Sequence, residues 1–146
     1  MPLTPTDPYG NMSNWLAEED WQAFQERTDK VAAMYSRYEF MPGMNLDGEQ
    51  CLTEIVADLG GLSCMLEIAR ATPDFYYEEF FLAFTENKRY LSTDAFLHYQ
   101  YSIDYHPADF LRANGNLQQV QEFYDTFGIQ PGDGMYLPAE ERVSVW

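Results

Sequence analysis

The sequence predicts a mainly α-helical fold. Apolar residues recur at helical spacing over several long segments, glycine and proline signals separate these segments, and no segment shows a strong strand-like alternation. The 146 residues suffice for one domain and not for two, and 46% of them are hydrophobic. Aromatic residues, which are included in this share, make up 16% of the chain, and this composition excludes a disordered acidic tail.

The first half of the chain predicts an extended segment followed by two long helices. Residues 1–13 hold three of the eight prolines, which favours an extended lead-in. Apolar spacing predicts a helix from Asn14 to Glu39, and Pro42-Gly43 is a stop signal beyond it. A second helix is predicted from Cys51 to Ala71, because its apolar residues form one stripe. The residues of this stripe are Leu52, Ile55, Leu59, Leu62, Leu66 and Ala69.

Two shorter helices are predicted next. Asp74 follows a Thr-Pro break and is predicted to cap a helix from Phe75 to Tyr90, which is rich in aromatic residues. Thr93 is predicted to cap a short helix that ends near Tyr101.

The last third of the chain is predicted to be partly irregular. The stretch from Asp104 to Gly115 shows no clear periodicity. Asn116 is predicted to cap a final helix over 117–127, and Gly128 is predicted to end it.

The charge balance limits the classes of partner. Eight basic side chains against 24 acidic ones give a formal net charge of −16. Such a surface repels nucleic-acid backbones and anionic lipid, so we expect neither nucleic acid nor membrane as a partner. Cations, metals and basic peptides are the favoured partners.

Cysteine spacing and apolar run lengths predict a reduced, non-membrane protein. Cys51 and Cys64 are 13 positions apart on one predicted helix, about 20 Å, which is too far for a disulfide between them. No run of 18 apolar residues occurs, and residues 1–8 lack the features of a signal peptide. These observations favour a cytoplasmic location.

Glu54 and Asp58 form the first candidate site. They stand one turn apart on the predicted second helix, so both carboxylates share one face and are able to bind or orient a metal. The alternative is a solvated acidic face, which a chain with 24 acidic residues also allows. The following Gly60-Gly61 pair costs helix stability and therefore suggests close approach by another segment.

His106 forms the second candidate site. Pro107 disfavours a helical conformation at His106, so the imidazole is predicted to lie in irregular chain. Asp104 is placed to accept from one ring nitrogen and fix the tautomer, and Arg112 follows six residues later. Such a set suits a polarised carbonyl, whereas the alternative is a structural histidine with a surface arginine. His98, the other histidine, is predicted at the edge of the core.

Several segments together resemble the neprilysin and endothelin-converting-enzyme family of zinc metallopeptidases. The segments that carry the resemblance are E-I-V-A-D-L-G-G at 54–61, H-P-A-D-F-L-R-A-N-G at 106–115, G-D-G-M-Y at 132–136 and R-V-S-V-W at 142–146. Residues 14–20 also resemble the stretch that follows the family's zinc-binding helix. The resemblance implies that residues 14–146 are the C-terminal helical part of a zincin-type, thermolysin-like catalytic domain.

The resemblance implies a role for each candidate residue. Glu54 would be the third protein ligand of a catalytic zinc, and Asp58 would orient a zinc-bound histidine. His106, held by Asp104, would donate to the oxyanion of the tetrahedral intermediate. Arg112 would bind a backbone carbonyl of the peptide substrate.

The family's H-E-x-x-H motif does not occur in this sequence. A catalytic zinc site needs three protein ligands, so we expect an incomplete zinc site and no activity from the chain alone. A chain or segment carrying H-E-x-x-H is the implied partner. The alternative is a non-catalytic acidic module that binds peptides, and an unrelated helical scaffold is a third hypothesis. We also expect the isolated chain to self-associate or to be only marginally stable.

Overall fold

The computed structural model describes residues 6–145, and within this range the chain forms six α-helices and one short β-hairpin. The elements in chain order are α1 (Glu18–Tyr35), β1 (Glu39–Met41), β2 (Met44–Asn45), α2 (Leu52–Ala71), α3 (Tyr77–Glu86), α4 (Asp94–Ile103), α5 (Asp109–Leu117) and α6 (Gln121–Phe127), followed by a 3-10 turn at Ala139–Glu141. The prediction of a mainly α fold is confirmed.

The chain before α1 contains a small turn. The Asp7 carboxylate accepts the backbone N–H groups of Tyr9 and Asn11, both at 2.9 Å, and an isolated bridge pairs Thr6 with Met12. Residues 1–5 of the predicted lead-in lie outside the described residues, as does the terminal Trp146.

Helix α1 is shorter than the predicted helix over 14–39. It begins at Glu18, where three acidic residues of the first turn complement the positive end of the helix dipole, and it ends at Tyr35. The β-hairpin follows, with β1 antiparallel to β2, and Gly43 in its turn has φ +75°. Strands of three and two residues are too short to show alternation, so the amino-acid pattern contains no strand signal here.

Helix α2 confirms the predicted helix over 51–71 and forms the centre of the fold. All six residues of its predicted apolar stripe are buried. Its first half packs with α1, the hairpin and Leu111 of α5 in one apolar cluster. Its second half, through Leu62 and Leu66, packs with α3 and α6 in another. The single helix therefore joins both parts of the core.

The boundaries of α3, α4 and α6 agree only in part with their predicted caps. Thr93 caps α4 as expected, because its hydroxyl accepts the Phe96 N–H at 3.3 Å. Gly128 ends α6 in the left-handed conformation, also as expected. Asp74 does not cap α3: its φ is +53°, and the N-cap residue is Tyr76.

Helix α5 is the main correction to the predicted structure. The stretch 104–115 was expected to be irregular, but α5 begins at Asp109, and Asn116 is fully buried inside it rather than capping the next helix. Asn114, Gly115 and Asn116 are poor helix formers, so local propensity misled the prediction. Burial of Leu111 and Leu117 provides tertiary packing that outweighs this propensity.

Gly115 is required by a close helix contact. A Cβ atom at this position would lie 2.6 Å from the Tyr35 hydroxyl oxygen, which would be a severe overlap. Tyr35 is fully buried, and its hydroxyl donates to Asn116 Oδ1 at 2.6 Å. Gly61 differs, because an added Cβ would meet nothing within 4 Å. The close approach suggested by the glycine pair on α2 is therefore not found at Gly61 among the described residues.

Part of the surface is strongly apolar. Helix α4 has no buried residue among those described, and Leu91 just before it is 95% exposed. Large apolar side chains also stand exposed on α2, at Met65 and Ile68. This surface agrees with the expected tendency to self-associate, which stays a prediction.

Both cysteines are free, with Cys51 buried and Cys64 exposed. Burial raises the pKa of the Cys51 thiol to about 11, so this thiol is protonated at neutral pH. Among the described residues, no helix combines the length and apolarity needed to cross a bilayer.

Two glycine substitutions test the helix packing. Gly115→Ala should lower the free energy of unfolding by about 1–3 kcal/mol, because the new methyl group displaces Tyr35. Gly61→Ala is the matched control and should be neutral or stabilising by up to about 1 kcal/mol, because alanine favours the helix and space is open. Urea denaturation of both variants measures the difference. Equal effects at the two positions would contradict the packing described for α5.

Candidate active site

Three segments bring the five predicted site residues into one cluster. Glu54 and Asp58 lie on α2, Asp104 and His106 lie in the loop between α4 and α5, and Arg112 lies on α5. Their side chains are neither buried nor fully open, with 16 to 35% of each side chain exposed. The cluster is therefore reachable from solvent yet held by neighbouring groups.

His106 stands between two carboxylates. Its Nδ1 lies 2.7 Å from Asp104 Oδ1, and its Nε2 lies 3.1 Å from Glu54 Oε2. The Asp104 carboxylate also accepts the backbone N–H of His106 at 3.1 Å. Two contacts to one carboxylate orient the ring, so Nε2 is the nitrogen that faces Glu54.

Arg112 joins α5 to α2 through a bidentate ion pair. Its Nε donates to Asp58 Oδ2 at 2.6 Å and its Nη2 donates to Asp58 Oδ1 at 2.7 Å. The same Nη2 lies 3.9 Å from Glu54 Oε2. One guanidinium therefore balances the two like charges that repel each other on α2.

The electrostatics of these pairs agree with their geometry. The hydrogen bond from His106 lowers the pKa of the Asp104 carboxyl below its ordinary value. The Asp58 carboxylate raises the pKa of the Arg112 guanidinium above its ordinary value. Both shifts favour the charged forms of the Asp104 carboxylate and the Arg112 guanidinium.

Several residues of the site were not predicted from the sequence. Lys88, after α3, places Nζ 3.9 Å from Asp58 Oδ1. Tyr105 stacks on His106 with ring centroids 4.7 Å apart. Gln50 Nε2 donates to the Asp104 carbonyl at 2.8 Å, which anchors the loop to the start of α2. Tyr105 could have been inferred as a neighbour of His106, whereas the contact of Lys88 depends on tertiary structure alone.

His98 takes no part in the contacts described for this cluster. It lies on α4 and is exposed, so the prediction of a position at the core edge is wrong. No described residue of helix α4 is buried, and His98 lies on its exposed side, which periodicity alone does not reveal.

Histidine, cysteine and carboxylate side chains are the donors that zinc takes in proteins. Among residues 6–145, no group of three histidine, cysteine or carboxylate side chains is arranged to hold a metal ion. Both Asp58 oxygens accept from Arg112, and His106 Nδ1 is directed at Asp104. The described residues do not group the three protein donors that a catalytic zinc site needs.

A family comparison agrees with this geometry. The model of peptidase family M13 matches residues 3–143, which is nearly the whole chain. The chain belongs to peptidase family M13. This match confirms the resemblance to neprilysin-type zinc metallopeptidases. The family implies zinc as the cofactor of this M13 chain.

Curated relatives match the M13 chain over most of its length. The neutral endopeptidase of Lactococcus lactis subsp. cremoris is 31% identical over 140 residues, which cover 96% of this chain and 22% of that protein. Neprilysin-3 of Drosophila melanogaster is 28% identical over 154 aligned residues, covering 96% of this chain and 19% of that protein. The M13 chain thus spans about a fifth of the length of these relatives.

Solved structures show the same fold for this segment. PepO from Lactobacillus rhamnosis HN001 matches with a TM-score of 0.85 and 27% identity, over 93% of this chain and 22% of that one. The inhibitor complex of the Mycobacterium tuberculosis zinc metalloprotease Zmp1 matches with a TM-score of 0.80 and 25% identity, over 92% of this chain and 23% of that one.

The ion pair between α2 and α5 can be tested by stability. Arg112→Lys should lower the free energy of unfolding by about 1–2 kcal/mol, because lysine cannot make both hydrogen bonds to Asp58. Arg37→Met is the control, since the Arg37–Glu141 pair is exposed and should contribute less than about 1 kcal/mol. Urea denaturation at neutral pH compares them. If Arg112→Lys lowers the free energy of unfolding no more than Arg37→Met does, the Arg112–Asp58 pair does not stabilise the fold as predicted.

The Asp104–His106 contact should make stability depend on pH in the acid range. The folded-state pKa of Asp104 is lowered, so its contribution is present above the ordinary carboxyl pKa and is lost as pH falls through the lowered value. The stability difference between the wild type and Asp104→Asn should therefore shrink between about pH 5 and about pH 2.

Urea midpoints across this pH range provide the measurement. Repeating the comparison in a His106→Gln background is the control, because His106 is the main cause of the lowered pKa. There the dependence on pH should be weaker. An unchanged dependence would show that another group causes it.

Proposed function

We propose that this chain supplies one side of the active site of a zinc endopeptidase. The observation that carries the proposal is the convergence of Glu54, Asp58, Asp104, His106 and Arg112 from three separate segments into one solvent-accessible cluster. A solvated acidic face on α2 would need neither the oriented imidazole nor the bidentate guanidinium. The arrangement instead resembles a site prepared for a polar ligand.

Glu54 is the residue that we assign to the metal. Of the two site carboxylates on α2, Arg112 binds only that of Asp58 in a bidentate way. The Glu54 side chain is 24% exposed. A zinc ion bound there would polarise the scissile carbonyl and activate a water. The remaining ligands and the general base would come from an H-E-x-x-H segment, which this sequence does not contain.

His106 is the residue that we assign to the reacting oxygen. Asp104 accepts from Nδ1, so Nε2 is the nitrogen that faces Glu54 and a substrate held beside it. Nε2 donates when the ring carries protons on both nitrogens, as an imidazolium. The charge that develops on a carbonyl oxygen during peptide hydrolysis is stabilised by such a preoriented donor. Asp104 acts through His106 by holding the ring in place.

Arg112 and Asp58 are assigned to substrate and metal-ligand positioning. Asp58 occupies Nε and Nη2 of Arg112, and we assign the third nitrogen, Nη1, to a backbone carbonyl of the bound peptide. The Asp58 oxygens retain lone pairs that could accept from a metal-bound histidine. Without the H-E-x-x-H segment, we propose that the chain does not hydrolyse peptides.

A chimera tests this proposal. The 140-residue segment of the Lactococcus neutral endopeptidase that aligns with this chain would be replaced by this chain, and peptide hydrolysis and zinc content would be measured. Glu54→Gln should abolish bound zinc and activity together. His106→Gln should keep zinc but lower kcat by about 100- to 1,000-fold, because one oxyanion donor is lost.

Two controls make the result interpretable. Glu67→Gln removes an exposed carboxylate from the same helix and should change neither zinc content nor rate. The isolated 146-residue chain should not bind zinc with submicromolar affinity in titration calorimetry. An active, zinc-loaded Glu54→Gln chimera would disprove the ligand assignment, and tight 1:1 zinc binding by the isolated chain would disprove the incomplete site.

A further inference from the structure

A cleft apart from the candidate active site is lined by half of the chain's basic side chains. It has a volume of about 520 Å³ and lies between α1 and the segment 140–144. Four of the eight basic side chains of the whole sequence line it, in a protein with a formal net charge of −16. These four are Arg27, Lys30, Arg37 and Arg142.

The spacing along the chain explains how the cleft acquires its charge. Arg27, Lys30, Met34 and Arg37 follow one another at intervals of three and four residues, which places them along one face of α1 and its C-terminal end. Arg142 approaches from the opposite side, just after the 3-10 turn. None of these residues belongs to the Glu54–His106 cluster.

The three guanidinium groups are held in place by other contacts. Arg27 Nη1 donates to the Val145 carbonyl at 3.3 Å, and Arg37 pairs with Glu141 at 3.0 Å. Arg142 is fixed from several sides. Its contacts are to the Leu137 carbonyl at 2.9 Å, to Gln121 Oε1 at 2.7 Å and to the ring of Tyr124 at 3.6 Å. Because a guanidinium carries five N–H donors, these contacts leave donors for a ligand.

Lys30 is the basic side chain of the cleft without an assigned partner. Among the described residues, no hydrogen bond or ion pair engages its ammonium group, and the residue is exposed. Met34 and Val143 provide apolar surface beside it. The cleft therefore combines fixed guanidiniums, one free ammonium and an apolar wall, within the usual size range of small-molecule sites, about 300–1,000 Å³.

We propose that this cleft binds a small organic polyanion, through carboxylate or phosphate groups that contact Lys30 and the arginines. Planar guanidiniums match both groups in a bidentate way. The acidic remainder of the surface does not prevent this, because salt screens charges beyond about 8–10 Å. Two acidic side chains, Glu140 and Glu141, also line the cleft. Glu141 is neutralised by its ion pair with Arg37, whereas the charge of Glu140 repels an anion. The proposal is independent of peptide hydrolysis.

Titration of the 146-residue chain with citrate and with pyrophosphate tests the proposal, using calorimetry at low and at high salt. We expect saturable 1:1 binding of at least one probe, and weaker binding at high salt. Binding of pyrophosphate alone would identify phosphate groups as the recognised chemistry, and binding of citrate alone would identify carboxylates. Binding of both would support recognition of either group.

Three single-charge variants distinguish this cleft from general surface charge. Lys30→Gln should weaken binding by about 3- to 5-fold, and Glu140→Gln should strengthen it by a similar factor. Arg89→Gln is the control, because it removes an exposed basic residue that lines a different cavity. It should change the affinity by less than about 2-fold, since an exposed charge outside the cleft contributes little. Circular dichroism confirms that each variant is folded.

Three outcomes would overturn the proposal. The first is that neither probe binds saturably. The second is that Arg89→Gln weakens binding as much as Lys30→Gln does. The third is that Glu140→Gln leaves the affinity unchanged, since the cleft would then not be where the anion sits.

Discussion

The bidentate ion pair between Arg112 and Asp58 is the contact on which the candidate site depends. It ties α5 to α2, and the loop that carries Asp104 and His106 enters α5 directly. Two carboxylates one turn apart on α2 would repel each other without a shared cation. Arg112 supplies that cation in a bidentate geometry that lysine could not reproduce. The same ion pair therefore balances the charge of the α2 carboxylates and places α5 beside α2.

The packing of α1 against α5 helps to hold Arg112 in position for this ion pair. Tyr35 is fully buried, its ring touches Gly115 one turn beyond Arg112, and its hydroxyl bonds to the buried Asn116. Burial raises the pKa of the Tyr35 hydroxyl well above its ordinary value, so this hydroxyl stays a neutral donor. A bulkier residue at 115 would move α5 and, with it, the guanidinium of Arg112. The core and the candidate site are therefore mechanically connected.

The proposed function would draw on more than the described residues. These residues group no three metal donors together, and the sequence carries no H-E-x-x-H. Helix α4 and Leu91 expose apolar surface that a stable isolated domain seldom leaves uncovered. The M13 relatives are about five times longer than this chain. The basic cleft at Lys30 lies apart from this site and has its own charge pattern.

The sequence by itself determined the helical class and the long helix α2, and it singled out five residues that the fold brings into one cluster. Strong periodicity predicts α2 because a buried stripe of six apolar residues allows few other structures. Helix α5, the hairpin, the exposed position of His98 and the contacts of Lys88 were decided by tertiary structure. Asn114 to Asn116 have weak helix propensity, and their helix forms because packing against Tyr35 and α2 stabilises it. Local propensity acts over a few residues, whereas Lys88 contacts Asp58 and Gly115 contacts Tyr35 across about 30 and about 80 positions of the chain.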